Sequence, residues 1–589
     1  MQPTLPVVRA LLPLAALCVG AAPLAAQGGR VFPVQTTQSQ PSDNSNLPST
    51  TERLTGIVVS SVDGAPVPRA LVTTPDQRFA AFTDSQGRFA FDLRRALPTG
   101  APQQSGTAST PELLPSAIFV SFSFRKPGYV AATLSLSLSA TQPDTPEPPL
   151  TFKLVPTATV TGQLYTDSSD LPQSLVVQLL RRQVNNGKAT WLPANAAAPN
   201  TGGEYRIANL EPGQYKLRVP AVTAHSDADP TAPGPASRSG FLPIYYPNSA
   251  TEDGATILPA GAGDSITANL RLRTAPFYQV TVPLASPPDK QSFQAVLLNA
   301  PPGLNLRQNG QSFTGYLPDG AYDLLLYSVV QPSPNTSAQQ IAPQMSDAMV
   351  KLDVAGKSVR TLPVALHPIP DIPIIVRREF TSGQPQQASP PNQPSIFVFL
   401  QNVRQDIQQP APSMKPTTGD EGLALMGATP GLYTVIVFSP AGSASYVASA
   451  TSGTTDLLRE PLQVLAGSNP RPIEVTLRDD FASVDATITG DPATPPSTPE
   501  SPGMLLCIPL DHPQTMPAFA PLVQNHATVP NLAPGRYLLL AGNGQQFLSV
   551  LEYTNEEVLR TLLSKGVVVT LAPNDKATVQ VPLFPDGGN

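Results

Sequence analysis

Apolar and polar residues alternate with a period of two along most of this chain, the pattern of a strand with one buried face. In RFAFDL, Phe89, Phe91 and Leu93 share one side while smaller or polar residues take the other. Four stretches repeat one arrangement: LEPGQYKL from 210, LPDGAYDL from 317, ATPGLYTV from 428 and LAPGRYLL from 532. In each, a turn glycine precedes a tyrosine by two positions, and an alternating strand follows. The glycines, Gly213, Gly320, Gly431 and Gly535, lie 107, 111 and 104 residues apart, the length of one small domain.

The same plan surrounds each motif. Opening strands read TATVTGQLY from 157, FYQVTVPL from 277, DIPIIVRR from 371 and ASVDATITG from 482. Second strands read LVVQLL from 175, FQAVLLN from 293, SIFVFLQ from 395 and MLLCIPL from 504. The loops between them vary in length and are rich in proline at 381–394 and 491–503, which loop-closure entropy tolerates at small cost. The pattern predicts an all-β chain, a tandem array of five β-sandwich domains. Their expected limits are 52–155, 156–275, 276–369, 370–479 and 480–589, abutting as a bent rod. One helix breaks the pattern, at 555–565, where Thr554 or Asn555 caps a stripe of Val558, Leu559, Leu562 and Leu563 that should pack on the last sandwich.

The N-terminus changes the picture of compartment. Arg9 precedes an apolar run from Leu11 to Ala26, the signature of a secretory signal peptide over 1–26 with cleavage near Ala25 or Ala26. Cys18 follows Leu17, where a lipoprotein signal needs a small residue, so simple cleavage is the reading. A polar leader occupies 27–51. After cleavage Cys507 is the one remaining cysteine, so no internal disulfide is expected. An exported protein follows, periplasmic, outer-membrane-associated or extracellular, with no later apolar run able to span a membrane. Charged residues are 13% of the chain and the formal net charge is −6, which leaves no basic field for nucleic acid.

In the first unit the order GIVV, DGAPVPRALV, TDSQGRFAFDL and FVSFSFRKPGYV resembles the carboxypeptidase regulatory-like domain, a seven-strand sandwich related to transthyretin-like and starch-binding-like folds. The resemblance covers residues 52 to 155 and implies that the all-β array is one of five Ig-like, prealbumin-like β-sandwich domains. A polar segment, Pro98 to Ser116, sits where that family runs straight to its next strand. The resemblance implies no peptidase activity. It implies carbohydrate as a ligand class, with a polysaccharide or another envelope protein as partner.

Catalytic chemistry is hard to assemble. The histidines are His225, His367, His512 and His526, and none begins an HxxE or HExxH pattern. His512 and His526 are the pair a hairpin would join, without a third ligand for a metal. There is no GxSxG, CxxC or phosphate-cradling glycine loop, so no enzyme and no cofactor are expected. Calcium at Asp63, Asp84 or Asp167 to Asp170 competes with ordinary turn chemistry, and the acid pairs Glu252-Asp253 and Asp479-Asp480 are expected to be solvated turns. The repeated tyrosines Tyr215, Tyr322, Tyr433 and Tyr537 share a face with apolar neighbours, so their rings should point inward and their hydroxyls bond backbone at a sheet corner. That leaves Trp191, in a polar loop, and Phe241, Tyr245 and Tyr246, outside the strand pattern, as candidate ligand-binding residues. The same aromatics would equally serve to plug a joint between units.

Overall fold

The computed structural model describes residues 49–584 except 75–79, 97–117, 139–149, 168–170, 224–235, 286–291, 330–344, 382–394, 405–408, 416–419, 441–442, 444, 491–502, 524 and 544–550. The signal peptide, Cys18, nearly all of the leader, the Pro98 to Ser116 segment, His225 and Asp170 lie outside the described residues. Two parts are distinguished, Met1–Glu52 with Asp92–Ala108 and Arg53–Phe91 with Ser109–Asn589; everything below concerns the second.

Five sandwiches follow one another, and each closes in the same way. The opening strand pairs in parallel with a strand near the end of its own sandwich: Ile57 lies opposite Thr151, Val160 opposite Ile266, Val280 opposite Val359, Val376 opposite Val475 and Ala486 opposite Val579. In the second sandwich Leu270–Arg271 also joins the opening strand in parallel, and the remaining strand pairings are antiparallel. In the fifth, Ala482–Thr489 sits between His526–Leu532 and Lys576–Pro582, and the facing sheet runs Ala518–Pro521, Gly503–Pro509, Gly535–Asn543, Val567–Leu571. Side chains at alternate positions of both sheets meet between them. Val484, Ala486 and Ile488 pack against Leu505, Cys507 and Leu539. Burial pushes the Cys507 thiol up to about 12, so it serves as a small apolar filler.

The expected limit between the second and third units crosses a sheet. Ser237–Phe241 pairs with Thr274–Pro283, Phe277 opposite Arg238, so a hairpin from one sandwich extends the sheet of the next. Opposite that joint the Ala221 N–H donates to the Pro302 carbonyl at 2.8 Å. A cut at 275/276 would fall inside the strand Thr274–Pro283.

The motif tyrosines explain why the plan recurs. All four are buried, and each hydroxyl donates to the backbone carbonyl four residues earlier: Tyr215 to Glu211 at 2.7 Å, Tyr322 to Pro318 at 2.9 Å, Tyr433 to Thr429 at 2.8 Å and Tyr537 to Ala533 at 2.8 Å. The ring folds back over its own turn. At Gly320 the glycine makes room for this, since a Cβ there would stand 3.0 Å from the phenol oxygen of Tyr322, whereas at Gly213 and Gly431 a Cβ would rest in ordinary contact with the ring, at 3.9 and 3.5 Å. Gly320 and Gly535 have positive φ and Gly213 and Gly431 do not, so backbone angle is the reason for glycine at two of the four positions.

Between the third and fourth sandwiches lies Asp347, opposite Tyr327 and His367 across the sheet. Burial raises its carboxyl to about 6, against a smaller downward pull from His367. A raised carboxyl binds its proton more tightly folded than unfolded. Its contribution to stability is therefore complete below about 4 and is lost as pH rises through about 6. Asp347→Asn should stabilise the protein at pH 7.5 by about 1 kcal/mol, after allowance for screening of this partly exposed group. Urea unfolding at pH 4.5 and 7.5 checks it; equal stability of variant and wild type at pH 7.5 would refute it.

Candidate functional site

The predicted aromatic cluster does not form as one exposed surface. Phe241 and Tyr245 are 2% and 4% exposed; Phe241 packs in the core of the second sandwich. Both belong to strands: Ser237–Phe241 pairs with Thr274–Pro283, and Ile244–Tyr245 adds an edge to the other sheet beside Arg218–Val219. Tyr246 is half-buried against the same core. Trp191 lies within the strand Lys188–Ala197, opposite Arg182, and not in a loop. The Lys216 ammonium stands 4.6 Å from the centre of its ring, and Lys216 also reaches Glu252 at 3.5 Å. One face of the indole is thus occupied by a cation, and Trp191 and Tyr246 are the members with accessible surface.

The turn acids are accounted for locally. Asp63 accepts from the Ala65 N–H, and Asp84 accepts from the N–H groups of Gln86 and Arg88. Asp480 departs from expectation: it is 3% exposed, not a solvated turn. Its carboxylate takes the Arg478 guanidinium at 2.7 and 3.0 Å and the Tyr446 hydroxyl at 2.9 Å, in the joint between the fourth and fifth sandwiches. The chain must bury a charge there because Tyr446 and Arg478 are brought to it by the sheet. Among the described residues no three His, Cys, Asp or Glu side chains gather as a metal site, and no helix is long and apolar enough to cross a membrane.

A different surface stands out, on the fourth sandwich. Its smaller sheet runs Phe397–Asn402, Gly431–Phe438, Leu462–Val464. Inward residues Val398, Leu400, Tyr433 and Val435 fill the core. Outward, Phe397 lies opposite Phe438, Phe399 opposite Ile436, Gln401 opposite Thr434, and Leu432 opposite Gln463. None of these outward residues carries a charge. Phe399 and Phe438 are 48% and 44% exposed, their rings stacked at 5.5 Å with planes 8° apart, and Phe397 joins Phe438 at 5.6 Å.

The fifth sandwich has the same face with a cover. By the tyrosine motif and the strand register, Leu506 and Leu540 occupy the places of Phe399 and Ile436. There the residues Leu506, Ile508, Leu538 and Leu540 are buried beneath Val558, Leu559 and Leu562 of the helix Glu556–Leu563. Asn555 caps that helix through the N–H groups of Glu557 and Val558, as its sequence predicts. The fourth sandwich has no such helix among its described residues. The open face was missed at the sequence level, although SIFVFLQ carries the signal: it is apolar at consecutive positions, so both faces of that strand are apolar and one of them needs a partner.

No family model matches the chain, and no curated protein does. Among solved structures, the Bacillus anthracis TIE protein is 7% identical, with 92% of this chain and 76% of that one covered, at a TM-score of 0.15. GBS52, the minor pilin of Streptococcus agalactiae, is 15% identical, covering 40% and 99%, at a TM-score of 0.17. Two B repeat units of the collagen binding protein of Staphylococcus aureus are 11% identical, covering 73% and 100%, at a TM-score of 0.12. Scores this low carry no argument about fold or role; the sheets and their registers establish the β-sandwich array.

Proposed function

We propose that this chain is an exported, non-catalytic binding and spacer protein of the cell envelope, and that the Phe397, Phe399 and Phe438 face is its contact site. The observation that supports the reading is the uncovered apolar face itself. Large outward phenylalanines with uncharged outward neighbours lose contact with water only when a partner covers them. Carbohydrate is the ligand class implied by the family resemblance, and a neutral polysaccharide matches an uncharged face. A second reading, contact with another envelope protein, is favoured by the stacking of Phe399 on Phe438, which spends ring faces on each other that a sugar would otherwise use. Trp191 and Tyr246 remain as a lesser proposed contact on the second sandwich.

Retention on immobilised neutral polysaccharides and capture from envelope extract separate the readings. Phe399→Ala/Phe438→Ala should keep its fold, since exposed substitutions shift stability by about 0.5 kcal/mol or less. Polysaccharide retention lost in the variant supports the first reading, and protein capture lost in the variant supports the second. Binding of either kind that survives in the variant would remove the face from the proposal.

A further inference from the structure

The segment that leads into the helix Glu556–Leu563 is held by a sandwich far away in sequence. Residues 181–190 form a hairpin of the second sandwich, turning at Asn186 and Gly187, both with positive φ as a tight two-residue hairpin turn requires. Its tip meets residues 552–554 of the fifth sandwich. Glu552, 7% exposed, pairs with the Arg182 guanidinium. Thr554 donates both its N–H, at 3.1 Å, and its hydroxyl, at 2.6 Å, to the Gly187 carbonyl. The Tyr553 ring lies on Gly187 so closely that a Cβ there would come within 2.5 Å of it. Buried charge, two hydrogen bonds and a ring on a glycine thus converge on three consecutive residues.

We infer that this hairpin is a latch on a removable cover. The helix has eight residues, fewer than an isolated helix needs to persist in water. It is kept by its contacts on the sheet and by the fixed start that Glu552, Tyr553 and Thr554 supply immediately before the Asn555 cap. Freed from the hairpin, that start is no longer held, and the helix loses part of what keeps it on Leu506, Ile508, Leu538 and Leu540. These leucines and isoleucine would then be bared at the same place in the fold as the open phenylalanine face of the fourth sandwich. The fourth and fifth sandwiches therefore carry equivalent apolar faces, one open and one under a segment whose release depends on the second sandwich. This coupling stands whatever the Phe399 face binds.

Amide hydrogen exchange on the full chain tests it. Arg182→Glu sets two carboxylates against each other at the latch, and the exchanged pair Arg182→Glu/Glu552→Arg restores the attraction. In Arg182→Glu, exchange over 556–563 should accelerate roughly tenfold or more, as for local opening, with the strands Ala482–Thr489 and Lys576–Pro582 unchanged. The dye ANS should gain fluorescence in the same variant, and the exchanged pair should return both signals towards wild type. Three results would overturn the latch: unchanged helix exchange in Arg182→Glu, equal acceleration of helix and strands, or no rescue in the exchanged pair.

Discussion

Replacing Tyr433 by Phe is expected to destabilise the fourth sandwich by about 1 to 2 kcal/mol, and replacing it by Ala by about 4 kcal/mol. The two changes remove different things. Phe keeps the ring in the core beside Val398 and Leu400 but deletes the hydroxyl that donates to the Thr429 carbonyl at 2.8 Å and lies 3.0 Å from the Thr429 hydroxyl. Thr429 is fully buried, so water cannot replace the lost donor and the full desolvation penalty is felt. Ala in addition leaves a cavity the size of a phenol. Tyr537→Phe should cost less, because its hydrogen bond to Ala533 is only partly buried. A chain of several sandwiches need not unfold in one step, so the readout is exchange protection over Phe397–Asn402 and Gly431–Phe438 rather than a single midpoint. A neutral Tyr433→Phe would mean the corner hydrogen bond does not organise the turn.

Asp480→Ala should cost about 1 to 3 kcal/mol, the largest single-residue effect expected outside the cores, because the Tyr446 hydroxyl left behind is buried while the Arg478 guanidinium, 37% exposed, can turn to water. Removing the carboxylate leaves the Arg478 guanidinium and the Tyr446 hydroxyl without their shared partner. Burial works against the charge on Asp480, but the hydrogen bonds from Arg478 and Tyr446 outweigh it and hold the carboxyl below the ordinary aspartate range. A depressed carboxyl contributes stability above its unfolded value, about 4, and loses it as pH falls through the native value. Wild type should therefore weaken on acidification at this joint, while Asp480→Ala shows no such dependence there. Asp480→Asn, which keeps an acceptor for Tyr446, should fall between the two. Denaturant unfolding at pH 7 and pH 3.5 measures all three, and an Asp480→Ala protein as stable as wild type at pH 7 would show that the cluster contributes nothing.

Asp347 and Asp480 pull in opposite directions with pH, for one physical reason. Asp347 loses water and gains only a weak pull from His367, whereas Asp480 loses water and gains a guanidinium and a phenol. Sequence position does not separate them, since Asp480 follows Asp479 in what reads as a polar turn. Arg478 is local to Asp480, but the His367 that faces Asp347 and the Tyr446 that bonds Asp480 are each supplied by a strand that pairing brings alongside.

The lone tryptophan misled for a similar reason. Its polar approach NNGKAT reads as loop, yet residues 186–187 are a hairpin turn and Trp191 sits inside the second strand of that hairpin, Lys188–Ala197. The tip of that hairpin is what reaches residues 552–554. Polar composition there marks an edge of a sheet rather than an absence of one.

Alternation, the glycine-tyrosine motif and the capped helix are local signals, and by themselves they determined the all-β class, the inward tyrosines with their corner hydrogen bonds, and the helix from Asn555. Each depends on residues within about one turn or one strand, so chain order carries it. Only the tertiary structure decided which apolar faces are covered. The face bearing Phe399 and the face bearing Leu506 have the same register and similar apolar strands, and differ in whether a helix from later in the chain lies across them. The hold of Arg182 on Glu552, the shared sheet between the second and third sandwiches, and the burial of Asp480 are of the same kind. They arise where segments distant in the chain meet, and no period within a single strand encodes that meeting.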